Sequence, residues 1–273
     1  MKKRNLIFVI IAFLSIAVSS CKKDKSPEVN PVTPPAMEYV KIDEFKTSNG
    51  KFDVEIYGVE KYFSGYNSLY FLVKDGEGNK LSSVDISMDL SLKNQDKTSK
   101  LPVNNPVNKL GTNGYFIGGA VFLVKGDAEN TYDLNLKFKA NGVEDDALIH
   151  PVPVDKKHSR VVKVFSTYAQ ANVIVSLVRP IDIELNVPFN LVYYISKEKE
   201  DGSWEHYENL SALMTLVENG KEFSFTLPYA QSGFYAYPQT LNFVKKGTFT
   251  MNLNLNDGGE KVLDPVKFDV EIE

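Results

Sequence analysis

From residue 38 to the end of the chain, apolar residues recur with a period of two. In VDISMDLSLK, Val84, Ile86, Met88, Leu90 and Leu92 alternate with Asp85, Ser87, Asp89, Ser91 and Lys93. TYDLNLKFKA repeats the pattern with Tyr132, Leu134, Leu136 and Phe138. KFDVEIY (Phe52, Val54, Ile56) and VKFDVEIE (Val266, Phe268, Val270, Ile272) do the same. Successive side chains of a strand point to opposite faces, so this alternation predicts half-buried antiparallel strands. Turn signals separate them: KDGEGNK at 74–80, TNG at 112–114, EDGS at 200–203, ENGK at 218–221 and NDGGEK at 256–261. YENLSALMTLVENG is also read as strand, and no stretch has the period of an amphipathic helix.

Three segments recur in the same order about 120 residues apart. NSLYFLVKDGEGNKL resembles FNLVYYISKEKEDGSW, GYFIGGAVFLVKG resembles GFYAYPQTLNFVKKG, and TYDLNLKF aligns without gaps to TFTMNLNL. Ordered self-similarity predicts two related units. The fold expected is all-β: two tandem immunoglobulin-like antiparallel β-sandwiches, spanning 38–154 and 155–273, with the boundary in HPVPVDKKHSR at 150–160.

The first 37 residues read differently. Lys2, Lys3 and Arg4 precede an apolar run from Leu6 to Val18, the length of a signal-peptide core and too short to span a bilayer comfortably. Residues 1–20 are therefore expected to be a signal peptide. Val18-Ser19-Ser20-Cys21 resembles the lipobox of bacterial lipoproteins, in which the cysteine becomes the lipidated N-terminus. Cys21 is the single cysteine of 273 residues, so no internal disulfide is possible. Residues 21–37 hold four prolines and no aromatic residue, and read as a semi-rigid spacer. Localisation at the outer membrane through this lipid follows as the expectation, with the domains facing the periplasm or the exterior.

GYNSLYFLVKDGEGNKLSSVDISMDL, followed by LPVNNP, GYFIGGAVFLVKG and YDLNLKF, resembles the YtkA-like (FixH-like) β-sandwich family. The matching positions are Gly65, Asn67, Leu69, Asp75, Gly78, Met88, Pro102, Tyr115 and Leu134. The resemblance implies an association with copper or respiratory-assembly proteins and, in some members, a Met/His cluster after the strand of Met88. Cu(I) prefers such soft ligands. This chain has one Met and no His there, and a single thioether in the inward register reads as core packing. Met214 in the second half reads likewise, and no metal site or other cofactor is expected.

Composition and motifs narrow the function further. The formal net charge is −4, with 31 Lys+Arg against 35 Asp+Glu, and no basic stripe suggests a nucleic-acid partner. Gly-x-Ser-x-Gly, His-Glu-x-x-His and glycine-rich phosphate loops are absent from the sequence, so an enzyme is not expected. VEDDA (143–147) and DGEGN (75–79) lack the full spacing of a calcium loop and read as turns. His150 and His158 flank the boundary segment and read as solvated. EDGSWEHY carries Trp204 and Tyr207 beside His206, and LPYAQSGFYAYP gathers Tyr229, Phe234, Tyr235 and Tyr237 in a connection read as an aromatic loop. Exposed aromatics beside polar groups suit ligand recognition, so Trp204, Tyr207, Tyr235 and Tyr237 are the candidate ligand contacts. The function expected is a non-catalytic binding module whose partner is an envelope protein or small ligand. The alternatives are a copper-handling accessory protein and a glycan-binding component of a surface uptake system.

Overall fold

A computed structural model describes residues 38–218 and 221–272. The leader, Cys21 and the spacer lie outside the described residues. The first half contains nine strands: β1 (Val40–Lys46), β2 (Phe52–Gly58), β3 (Gly65–Asp75), β4 (Asp85–Asn94), β5 (Lys97–Leu101), β6 (Val103–Asn104), β7 (Phe116–Phe122), β8 (Asn130–Ala140) and β9 (Val143–Ile149). The second half continues with β10 (Val161–Ser166), β11 (Ala171–Arg179), β12 (Phe189–Glu198), β13 (Trp204–His206), β14 (Ser211–Glu218) and β15 (Lys221–Leu227). It ends with β16 (Tyr229–Gln231), β17 (Phe234–Leu241), β18 (Gly247–Asp257), β19 (Glu260–Lys261) and β20 (Val266–Ile272). No helix occurs among the described residues.

The two halves repeat one topology. In the first, β1-β2-β3-β7-β6 faces β5-β4-β8-β9; in the second, β10-β11-β12-β17-β16 faces a sheet in which β15-β14-β18 carries β20 and the short β19. Every strand pair is antiparallel, and the three self-similar sequence segments fall on β3/β12, β7/β17 and β8/β18. Each sheet pair encloses its own core. Phe52, Val54, Ile56, Leu134, Leu136 and Phe138 fill the first, and Leu191, Tyr193, Met251, Leu253 and Phe268 fill the second. These are immunoglobulin-like antiparallel sandwiches of the all-β class. Met88 and Met214 are both buried, one in each core.

The halves are bound face to face. Tyr66, Val121, Ile174, Val178 and Tyr194 form a third buried cluster on the sheet faces turned away from the two cores. Tyr66 lies 4.9 Å from the Tyr194 ring and 5.3 Å from Phe234, measured between centroids. Its amide donates to Ser176 Oγ at 2.8 Å, and that hydroxyl donates to the Arg160 carbonyl at 3.0 Å. Gly119 permits this approach, because a Cβ there would stand 2.0 Å from the Tyr66 hydroxyl. Residues 38–273 accordingly form a single compact unit.

The segment at 150–160 is more ordered than its prolines suggest. Val154 donates to the Tyr62 carbonyl and accepts from Ser64, and Gly126 donates to the Pro153 carbonyl. Lys156 and Arg160 both lie over the Phe63 ring, at 5.4 and 5.7 Å. His150 is exposed, and its Nδ1 lies 2.9 Å from Asp133 Oδ1.

Two turn expectations need correcting. Residues 143–147 are not a turn but the start of β9; the reversal is Asn141-Gly142, both at positive φ. The 227–238 stretch is not an aromatic loop but the hairpin β16–β17. Asp75, by contrast, does organise a turn, accepting from the amides of Glu77 and Asn79.

Asp145 of β9 fastens the β1–β2 turn. Its carboxylate accepts from Thr47 Oγ1 at 2.6 Å and from the amides of Asn49 and Lys51, each at 3.1 Å. Burial opposes its charge, but the bonds from Thr47, from the amides of Asp146 and Lys51, and from Asn49 outweigh it. They hold the carboxyl well below the usual carboxylate range.

Two outcomes are expected from urea denaturation. Tyr66→Ala removes the ring joining the halves and lowers stability by about 3 kcal/mol. Asp145→Asn destabilises at neutral pH. A depressed folded pKa gives stability that is present above the unfolded value near about 3.9 and is lost as pH falls below it. The difference from the unsubstituted protein therefore shrinks in acid.

Candidate functional site

The loop between β12 and β13 folds back at Asp201-Gly202, with Gly202 at φ +75° and Lys199 donating to the Ser203 carbonyl at 2.7 Å. The resulting register sets Ser196 opposite His206, Lys197 opposite Glu205, and Glu198 opposite Trp204. Alternation along β13 then turns Trp204 and His206 toward the first half. The Trp204 indole donates to the Lys100 carbonyl of β5 at 2.8 Å. Lys163 covers the ring at 5.5 Å. Trp204 is half-buried and packs on the cluster between the halves.

Tyr207 follows, with its ring buried in the second core and Lys197 4.9 Å from the ring centroid. Its hydroxyl donates to Asp257 Oδ2 at 3.3 Å. Burial first, and Asp257 second, raise the Tyr207 pKa to about 12, so the phenol remains a donor at neutral pH. Glu208 receives the Tyr229 hydroxyl at 2.8 Å. These residues form one wall of a cleft of about 730 Å³, and Val103, Asn104 and Asn105 of the first half form the other. Asn105 is anchored by accepting from the Met88 amide at 2.7 Å.

The four aromatic candidates therefore part company. Trp204 and Tyr207 line the cleft, each ring with a lysine over it. Tyr235 does not reach the surface: it is fully buried, and its hydroxyl donates to the Tyr207 carbonyl at 2.6 Å and accepts from the Leu210 amide at 3.0 Å. It thereby fixes the turn that presents Tyr207 and Glu208. Tyr237 lies apart, half-buried with its ring 4.8 Å from Phe225. Sequence reasoning missed Asn104, Asn105, Glu208 and Asp257, which come from three separate segments and carry no local motif.

The cleft is chemically a set of hydrogen-bonding groups: the carboxylates of Glu205, Glu208 and Asp257, two amides, one lysine and one imidazole. Burial lowers the His206 pKa below its ordinary value, and the Glu208 charge opposes that shift. No trio of His, Cys, Asp or Glu placed to hold a metal ion occurs among the described residues.

The all-β class rests on the strands themselves, and comparison with known proteins adds nothing to it. No family model matches the chain, and no curated protein matches it. Among solved structures it is similar to a DUF4785 family protein from Legionella pneumophila subsp. pneumophila str. Philadelphia 1. The identity is 12% over 80% of this chain and 58% of that one, with a TM-score of 0.26. It is also similar to the Escherichia coli adhesin FdeC, at 13% identity over 85% of this chain and 66% of that one, with a TM-score of 0.25. Escherichia coli alpha-2-macroglobulin activated by porcine elastase shares 10% identity over 81% of this chain and 23% of that one, at a TM-score of 0.26. The chain thus spans little more than half of the first of these. At such scores none of them carries an argument about ligand or activity.

A proton titration followed by NMR is expected to place His206 below the ordinary histidine value of about 6.5. Glu208→Gln, by removing the opposing charge, lowers it further. Because the folded form resists protonation, His206 costs stability as pH falls through the unfolded value.

Proposed function

We propose that this chain is a non-catalytic binding module held at the outer membrane by a lipid on Cys21, its domains facing the periplasm or the exterior. The observation that carries the binding role is the cleft between the two halves. Its walls come from both sandwiches, and its convergent polar groups have fixed positions, as ligand sites require. The anchor rests on the leader: a basic start, an apolar run of signal-peptide length and Val18-Ser19-Ser20 directly before the one cysteine. Tandem sandwiches on a proline-rich spacer suit recognition at a distance from the bilayer. The partner is an envelope protein or a small ligand.

Among ligands, the cleft favours a hydroxyl-rich molecule such as a glycan. Lys163 lies over the Trp204 ring and Lys197 over that of Tyr207, so carboxylates and amides rather than open ring faces supply the contacts. The copper-handling alternative gains nothing from Met88 and Met214, whose thioethers pack in the cores.

Cys21→Ala is expected to abolish incorporation of labelled palmitate and to release the protein into the soluble fraction; unchanged membrane retention contradicts the anchor. On a glycan array, binding is expected to fall with Glu208→Gln. Binding that survives this change undiminished contradicts the placement of the site.

A further inference from the structure

Each half has a strand that ends in Leu-Pro before the chain crosses to the other sheet: β5 at Leu101-Pro102 and β15 at Leu227-Pro228. Both are edge strands, β5 paired with β4 and β15 with β14, and neither has a second partner strand among the described residues. Such an edge is a template for another strand unless it is charged or covered. β5 is both. On the core side its buried Leu101 is accompanied by Ser99 and Lys97, and the Lys100 carbonyl is taken by the Trp204 indole. β15 has neither guard at its centre. Leu227 is accompanied on the core side by Phe225 and Phe223, and Phe223 is 48% exposed.

The ladder with β14 fixes which backbone groups of β15 are free. Thr215 stands opposite Ser224 with their hydroxyls 3.0 Å apart, the close approach of a pair that exchanges no backbone hydrogen bonds. Alternation then turns the amides and carbonyls of Phe223 and Phe225 toward β14, and those of Glu222, Ser224 and Thr226 toward the open edge. Glu222, Ser224 and Thr226 are all exposed.

We propose that β15 pairs antiparallel with β15 of a second copy of this chain, Ser224 opposite Ser224, to form a two-fold dimer through a continuous sheet. In this register Glu222 stands opposite Thr226 of the second copy and the reverse, so every outward amide and carbonyl meets its complement. Centring on Phe225 instead sets Glu222 against Pro228, which has no N–H. Centring on Phe223 carries Thr226 past the start of the facing strand. A one-residue shift puts the phenylalanines of the two copies on opposite faces of the joined sheet. With Ser224 at the centre, Phe223 meets Phe225 of the second copy and Lys221 meets Leu227, so no like charges are opposed. Two-fold pairing closes on itself and stops at two copies. The interface is small, so the dimer is weak and reversible. It requires neither the cleft nor the lipid anchor.

Sedimentation equilibrium of the chain from micromolar to millimolar concentration tests this pairing. A monomer–dimer equilibrium is expected. Ser224→Pro removes the edge amide at the two-fold axis, where an edge strand accepts proline, and abolishes the dimer. Phe223→Lys places on β15 the kind of charge that guards β5 and weakens the dimer about tenfold or more, because it enters the interface twice. Leu148→Ser, at an exposed position of the edge strand β9, leaves it unchanged. In a Cys21→Ala background, Ser224→Cys is expected to oxidise to a covalently linked dimer. Monomer at every concentration overturns the proposal. A dimer undiminished by Ser224→Pro or by Phe223→Lys, or lost in Leu148→Ser, overturns its location. A dimer that Ser224→Cys fails to link overturns the register.

Discussion

The packing of Tyr66 between the two sandwiches is the contact on which the remaining arrangement depends. Its ring crosses from β3 to Tyr194 and Phe234, while its amide is tied through Ser176 to the Arg160 carbonyl. Aromatic rings in tilted and edge-on contact bury a large area and also fix orientation. That orientation places Asn104 and Asn105 opposite Trp204 and Tyr207, so the cleft exists only while the joint holds. The Trp204 bond to the Lys100 carbonyl reinforces the same alignment from the rim.

Much of the architecture was legible in the sequence because strands with one wet face must alternate. β4, β8 and β20 alternate in burial as the sequence does. The ordered repeats correctly paired β3 with β12, β7 with β17 and β8 with β18. The joint was not read, although it leaves a signal. Val173 to Val178 is a nearly unbroken apolar run, buried throughout, because β11 packs its core on one face and the other half on the opposite face. Tyr66 and Tyr194 occupy positions where a solitary sandwich would place polar residues. An aromatic residue there marks a second buried face.

The candidate site was legible only in part. Trp204 and Tyr207 were found because a tryptophan near a turn is conspicuous, and both line the cleft. Tyr235 was misplaced because a cluster of tyrosines after a glycine was read as a loop. Pairing with Tyr193 in β12 instead turns its ring into the core. Asp257 and Asn105 are joined to the site by tertiary folding alone, so no spacing in the chain could reveal them.

The central claim is that the two sandwiches are one cooperative body rather than two independent beads. Differential scanning calorimetry of the chain tests this most directly, because independent domains unfold in separate transitions. A single transition, with equal calorimetric and van't Hoff enthalpies, is the result predicted. Two resolved transitions, each matching one half expressed alone, would contradict it.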